Sequence, residues 1–262
     1  MIFVIGGNGL TGSAIVQYLK RNRIEYKVIQ KDNAFEFVDQ ECDILIYANG
    51  NAFKYKAQED PFFDFEASLK SVSFYIHKIK FKLFVHLSTV DVYGTLDDEN
   101  LTREDSVIDT QKSSVYGFHK YMAENYVKRF AENYLIFRLP ALVGIGLQKN
   151  PIYDFLHEEK KVFISPKSEL NVIHTDFIAE SIFKIINKNI KNEVFNLCSK
   201  NSIEIGDIKN ISGVNSLYVD DCTKNIQIYK INTQKISKVL SLSSSENAIK
   251  NYISNLKIEV DG

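Results

Sequence analysis

The chain has 262 residues, enough for one large buried core or a main domain with a small appendage. Hydrophobic residues make up 45% and charged residues 25%, which excludes the composition of a disordered chain. Thirty-two Lys and Arg against 33 Asp and Glu leave a formal net charge of −1, which offers no basic field for a nucleic-acid backbone and excludes nucleic acid as a partner.

Met1 leads directly into the apolar run Ile2-Phe3-Val4-Ile5, with no basic leader and no apolar stretch near the ~20 residues of a membrane helix. Neither export nor membrane anchoring is expected. From there, short apolar runs alternate with longer amphipathic segments, the pattern of parallel strands joined by crossover helices. The strands predicted in chain order are Ile2–Ile5, Tyr26–Ile29, Phe35–Val38, Ile44–Ala48, Lys82–Leu87 and Leu135–Leu139, nearly all continuously apolar, as a sheet covered on both faces demands. Helices are predicted at Ser13–Arg21, Phe62–Ile79 and Ser114–Glu132, and the few residues between the second and fourth strands predict a loop in place of a full crossover helix. After Val143 the pattern predicts loops around Pro151 and Pro166, a helix at Phe177–Asn187, a strand at Val194–Leu197, and helices near Thr233–Leu240 and Glu246–Leu256, with Ser241–Ser245 as a turn and helix cap. The expected fold is α/β: a Rossmann-type, doubly wound parallel sheet over residues 1–145 and a small substrate lobe over 146–262, interleaved with the last strands of the sheet. Cys42, Cys198 and Cys222 are isolated and odd in number, which suits reduced, buried thiols better than disulfides or a metal site and points to the cytoplasm.

Gly6-Gly7-Asn8-Gly9-Leu10-Thr11-Gly12 follows the first strand and opens the first helix, the setting of a dinucleotide-binding turn. Glycines let the backbone approach a pyrophosphate, while the helix N-terminus supplies N–H donors; Gly6, Gly9, Leu10, Thr11 and Gly12 are the candidate contacts. At the end of the second strand, Asp32 could take the adenosine ribose hydroxyls of NAD. Gln30 or Lys31 more nearly occupies the strand end, and a cation there suits the 2′-phosphate of NADP. The balance leans to NADP.

Tyr116 and Lys120 stand at i and i+4, on one face of a predicted helix. An unperturbed tyrosine ionises near pH ~10, and a neighbouring ammonium favours its phenolate, which would make Tyr116 a proton donor or acceptor near neutral pH. Leu87-Ser88-Thr89-Val90-Asp91-Val92-Tyr93-Gly94 closes the predicted fifth strand, at the end of the sheet where ligands bind. The Thr89 hydroxyl could polarise the oxygen that Tyr116 protonates.

With the glycines, S-T-x-x-V-Y-G and Y-G-x-x-K in one order, the chain resembles the extended short-chain dehydrogenase/reductase family, the NAD-dependent epimerase/dehydratase group. The likeness continues through Asp43–Gly50, Leu101–Asp105, Phe137-Arg138-Leu139-Pro140, Asn171–Asp176 and Val194–Leu197. It implies a catalytic Thr89, Tyr116 and Lys120, with Ala48, Gly50, Ser88, Lys120 and Pro140 beside the cofactor. It also implies a nucleotide-linked sugar as substrate and, since many members pair through the long helices flanking the sheet, a homodimer.

Two positions depart from the family pattern. Val90 and Asp91 stand where dehydratases carry an Asp-Glu pair, and the loss of the first carboxylate disfavours water elimination. Ser68 stands at a helix position that is often Asn. Lys149, Lys160, Lys161 and Lys167 read as solvated lysines, His119 as a structural residue facing away from the Tyr–Lys side, and His174 as a hydrogen-bonded histidine near the lobe junction. The reading these features favour is an NADP-dependent reductase of a keto group on a nucleotide-activated sugar. A C4 epimerase with tightly held NAD is the alternative, and a dinucleotide-binding sensor or scaffold is the non-enzymatic one.

Overall fold

The computed structural model describes residues 1–51, 53–157 and 159–260. Its strands are β1 (Ile2–Ile5), β2 (Tyr26–Ile29), β3 (Glu41–Tyr47), β4 (Lys80–Thr89), β5 (Tyr134–Leu139), β6 (Ala141–Val143), β7 (Lys161–Val162), β8 (Glu169–His174), β9 (Glu193–Asn196), β10 (Ser202–Glu204) and β11 (Leu217–Tyr218). Its α-helices are α1 (Leu10–Arg21), α2 (Lys54–Glu59), α3 (Pro61–Phe65), α4 (Ser71–Lys78), α5 (Val115–Phe130), α6 (Pro151–Leu156), α7 (Thr175–Ile186), α8 (Ile208–Ser212), α9 (Gln234–Ser237) and α10 (Ser245–Val260).

Six strands pair in the order β2-β1-β3-β4-β5-β9, every pair parallel. Side chains alternate across a strand, so β1 sends Ile2 and Val4 to one face and Phe3 and Ile5 to the other. The first face packs on Ile15 and Leu19 of α1 and Ile178 and Ile182 of α7; the second packs on Val72 and Ile76 of α4 and Ala123 and Val127 of α5. Both faces are therefore covered, and the doubly wound parallel sheet expected from the apolar runs is present. The lobe holds β6, β8 and β10 in a second sheet, a two-stranded pair of β7 and β11, and its own core of Val143, Ile152, Phe155, Val172, Ile205 and Ile249. Its chain is not separate, because β9 returns to the edge of the central sheet. Among the described residues, no helix is long and apolar enough to cross a membrane. Cys42, Cys198 and Cys222 are buried free thiols.

Several predicted elements differ. Phe35–Val38 is not a strand: Ala34–Phe37 forms a 3₁₀ turn. Asn33 caps the end of β2 by accepting from the Gln30 N–H at 2.7 Å, and the tight turn then buries Ala34 and Phe37 at i and i+3 while Phe35 projects into solvent. Phe37 meets Phe3 edge-on at 5.2 Å, a contact that a strand continuing outward could not make. The loop expected at Pro151 is helix α6, which begins on that proline and is capped by the Asn150 side chain accepting from Tyr153 N–H at 2.8 Å. The long helix predicted over Phe62–Ile79 is three pieces, with a π-helical turn at Glu66–Lys70 between α3 and α4. Thr233–Leu240 contributes only the single turn α9, whereas the serine-rich turn caps α10 as expected, Ser244 accepting from Asn247 N–H at 3.2 Å.

Candidate active site

The glycine-rich turn joins β1 to α1. Gly6 takes a φ of +75°, and its carbonyl lies so near Gly12 that any side chain at position 12 would collide with it. The first turn of α1 thereby sits directly above the end of β1. Gly9 is the N-cap of α1 and contributes no side chain, which leaves the first-turn N–H groups facing outward for an anion. Thr11 is buried beside them, while Leu10 packs toward the lobe core. This cradle fits the pyrophosphate of a dinucleotide.

Gln30 closes the far side of the turn. With its carboxamide oxygen facing the loop, it accepts from Asn8 N–H at 3.0 Å and Gly7 N–H at 3.2 Å. A neutral amide thus stands at the end of β2, and Lys31 and Asp32 lie exposed just beyond it. Ala48 continues β3, donating its N–H to the Ile5 carbonyl at 3.0 Å, and Gly50 follows in a positive-φ conformation. The Lys120 ammonium rests on Gly50, 2.5 Å from where a β-carbon would stand. Pro140 lies between β5 and β6, partly buried.

Helix α5 starts at the cap formed by Ser114, which accepts from Gly117 N–H at 3.1 Å. It places Tyr116 and Lys120 on one face, with the ammonium 5.8 Å from the Tyr116 ring centre. Burial pushes the Lys120 ammonium down to about 8, although Asp64 and Glu124 oppose the shift. The Tyr116 phenol moves the other way. Burial and then the Asp91 carboxylate hold it protonated well above the ordinary tyrosine value, while Lys54 and Thr89 pull in the opposite sense. The phenolate that a neighbouring ammonium was expected to favour is thus opposed here by burial and by Asp91.

Thr89 ends β4 and donates to Asp91 Oδ2 at 2.7 Å. That carboxylate is buried, and Lys54 of α2 pairs with the same oxygen at 2.6 Å while the Tyr229 hydroxyl donates to Oδ1 at 3.1 Å. Burial alone would raise the Asp91 carboxyl; Lys54, together with the hydrogen bonds from Thr89 and Tyr229, outweighs it and holds the group below the usual carboxylate range. Ser88 points into the protein, donating to Glu124 at 2.6 Å beside the buried pair of Glu124 and Arg138. His119 is buried against Asp64, Nδ1 to Oδ2 at 2.8 Å, and Asn51 donates to the other Asp64 oxygen at 2.9 Å. His174 caps α7 and meets Asn255 at 3.3 Å. Ser68 lies buried in the π turn.

The structure therefore brings Thr89, Tyr116 and Lys120 together at the carboxyl end of β4, next to the glycine cradle. Sequence reasoning assigned no role to Lys54, Asp64, Asp91 or Tyr229. Only Asp91 carried a signal, as an acid inside the apolar run Val90-Asp91-Val92-Tyr93, where a buried charge requires a partner.

Residues 31–198 match the model of the NAD dependent epimerase/dehydratase family. Among solved structures, a UDP-galactose 4-epimerase superimposes with a TM-score of 0.77 at 19% identity, covering 99% of both chains. RMD from Pseudomonas aeruginosa complexed with NADPH gives a TM-score of 0.77 at 14% identity, covering 98% of this chain and 99% of the other. UDP-glucuronic acid 4-epimerase from Bacillus cereus, in complex with UDP-glucuronic acid and NAD, gives 0.76 at 19% identity, covering 97% and 99%.

Proposed function

The chain belongs to the NAD-dependent epimerase/dehydratase family, and on that premise we propose that it is an NAD(P)-dependent reductase of a keto group on a nucleotide-linked sugar. The observation that carries this reading is the convergence of Tyr116, Lys120 and Thr89 at the carboxyl end of β4 beside Gly50; half-buried near Asp91, Tyr116 is held as a phenol, the form that gives a proton to the carbonyl oxygen while the carbon takes hydride. The bound nicotinamide supplies the hydride. Tyr116 delivers the proton, Lys120 sits over Gly50 to hold ribose hydroxyls, and Thr89 orients the reacting oxygen. Gly6, Gly9, Leu10, Thr11 and Gly12 hold the pyrophosphate, Lys31 and Asp32 face the adenosine ribose, and Ala48, Gly50 and Pro140 line the path to the nicotinamide; the Ser88 hydroxyl, expected beside the cofactor, is turned inward onto Glu124 instead. In this reading residues 1–145 carry the dinucleotide and 146–262 complete the sugar site.

NADPH is the preferred donor, because the neutral Gln30 leaves no carboxylate at the strand end and Lys31 can approach a 2′-phosphate. Val90 in place of an acid argues against dehydration. A nucleotide-sugar C4 epimerase is the second reading, favoured by the likeness to 4-epimerases over nearly the whole chain. A homodimer is part of the proposal: Phe62 and Phe63 of α3 and Phe118 and Phe130 of α5 are exposed apolar side chains on the helical flank of the sheet.

Calorimetry of NADPH and NADH with cofactor-free protein tests the proposal, with Lys31→Ala alongside. The expected result is a preference for NADPH that Lys31→Ala removes, followed by NADPH oxidation with a nucleotide-linked keto-deoxysugar. Preference for NADH untouched by the substitution moves the epimerase ahead. Failure to bind either dinucleotide overturns the enzyme reading.

A further inference from the structure

Three side chains from distant parts of the chain converge on one carboxylate at the chemical centre. Asp91 Oδ2 accepts from Thr89 at 2.7 Å and pairs with Lys54 at 2.6 Å, while Oδ1 accepts from Tyr229 at 3.1 Å; Lys54 and the Tyr229 hydroxyl are themselves 3.3 Å apart. The Asp91 N–H also donates to Thr89 Oγ1, at 3.2 Å. A threonine hydroxyl has a single proton. While Asp91 takes it, Thr89 has none to offer to an ionised Tyr116 or to a substrate oxygen.

We propose that Lys54 is a positioning residue that acts through Asp91 on this proton: by occupying the same carboxylate oxygen, it weakens the hold of Asp91 on the Thr89 hydroxyl and so controls how readily Tyr116 gives up its own proton. The inference rests on the reading of Tyr116 as the proton-transfer group. The charged and titratable groups around the phenol are Asp91 on the turn after β4, Lys54 on α2, Asp64 on α3 and Lys120 on its own helix, with Tyr229 beyond Asp91. Of these, Asp91 and Asp64 oppose ionisation and Lys54 favours it. Lys54 and Asp91 thus have opposite effects on the same phenol, though they are partners. Two opposite charges acting directly on the phenol would give the same pair of signs, so the route through Asp91 is marked by the Thr89 hydroxyl: with Thr89→Val in place, Lys54→Met should move the phenol much less.

The difference in sign, together with its dependence on Thr89, is the test. The protein is produced with 3,5-difluorotyrosine, whose phenol is a stronger acid than that of tyrosine, and the Tyr116 fluorine resonance is assigned with Tyr116→Phe. Its titration is followed in the parent protein, Lys54→Met, Asp91→Asn and Lys54→Arg. We expect the midpoint to rise in Lys54→Met and to fall in Asp91→Asn, each by roughly tenfold in acid constant, and to stay with the parent in Lys54→Arg. An unmoved midpoint in Lys54→Met, displacement of Lys54→Met and Asp91→Asn in the same direction, or a Lys54→Met shift that persists undiminished in a Thr89→Val background overturns the proposal. If Lys54→Met fails to fold, the Asp91→Asn arm decides: a midpoint that does not fall overturns it. The readout needs no substrate, so it is separate from the calorimetry and turnover on which the reductase reading depends.

Discussion

The Asp91 carbonyl oxygen lies where a β-carbon on Gly117 would collide with it, so helix α5 closes onto the turn after β4 only because residue 117 has no side chain. The residue before it is Tyr116. The glycine in Y-G-x-x-K is therefore a spacing device that sets how deeply the phenol enters the site.

In an ordinary helix interior, Gly→Ala stabilises by about 0.5–1 kcal/mol. Gly117→Ala should instead destabilise by roughly 1–3 kcal/mol, since the clash is with backbone on a buried turn. It should also lower turnover by on the order of 100-fold through displacement of Tyr116. Urea denaturation and cofactor oxidation check the two effects; a stabilised, fully active variant would refute the packing argument.

Arg138 Nη2 and Glu124 Oε2 are 2.7 Å apart, both side chains almost wholly removed from water, with Ser88 donating to the same carboxylate. Breaking such a pair by removing one partner costs roughly 3–5 kcal/mol, because the other is left buried and uncompensated. Arg138→Met should show that loss in denaturant unfolding, and Arg138→Met with Glu124→Leu should recover most of it. Equal losses in the single and double variants would mean that the pair itself, not the orphaned charge, carries the stability.

Burial depresses Lys120 to about 8 from the ordinary lysine value of 10.5. Between those values the unfolded chain binds a proton that the folded chain has released, so the contribution of Lys120 to stability increases with pH across that window, by about 3 kcal/mol in total. Below about 8 both states are protonated and the full cost of burying the cation remains. Lys120→Met should therefore be more stable than the parent near neutrality, with the difference closing as pH rises through the window. Thermal melting of both proteins over that range measures it, and a constant difference would show that Lys120 does not titrate there.

Gln30→Glu keeps an acceptor for the Asn8 and Gly7 N–H groups and adds a charge at the end of β2. Repulsion of a 2′-phosphate and bonding to ribose hydroxyls should move the NADPH-to-NADH affinity ratio toward NADH by roughly tenfold. Paired calorimetric titrations read the ratio directly, and an unchanged ratio would place the adenosine ribose away from this strand end.

Features encoded within a short stretch of chain were legible in the sequence. The glycine turn, the i, i+4 spacing of Tyr116 and Lys120, and the position of Thr89 just past the predicted strand Lys82–Leu87 each follow from local geometry. Partners assembled across the fold were not: Asp91 meets Tyr229 over a separation of 138 residues, and Asp64 meets His119 over 55. Lys54 sits among Phe53, Tyr55 and Lys56, and no periodicity links it to Asp91. The one misread element in the sheet region, Phe35–Val38, has strand-forming residues but lies in a turn fixed by the Asn33 side chain, which local propensity does not weigh.

The return of β9 to the central sheet has a consequence for the order of assembly. Strand β5 pairs along its outer side with Glu193–Asn196, and residues 141–192, including β6, β7, β8 and α7, must all be synthesised before that partner exists. During translation the nascent sheet therefore has an unpaired edge next to Phe137, whose ring later stacks on Phe195. An open parallel edge of apolar strand is a template for aggregation. The N-terminal half thus cannot be finished early and left to wait; it is completed late, as one unit with the lobe, and a chain truncated after β6 should be captured by chaperones or precipitate.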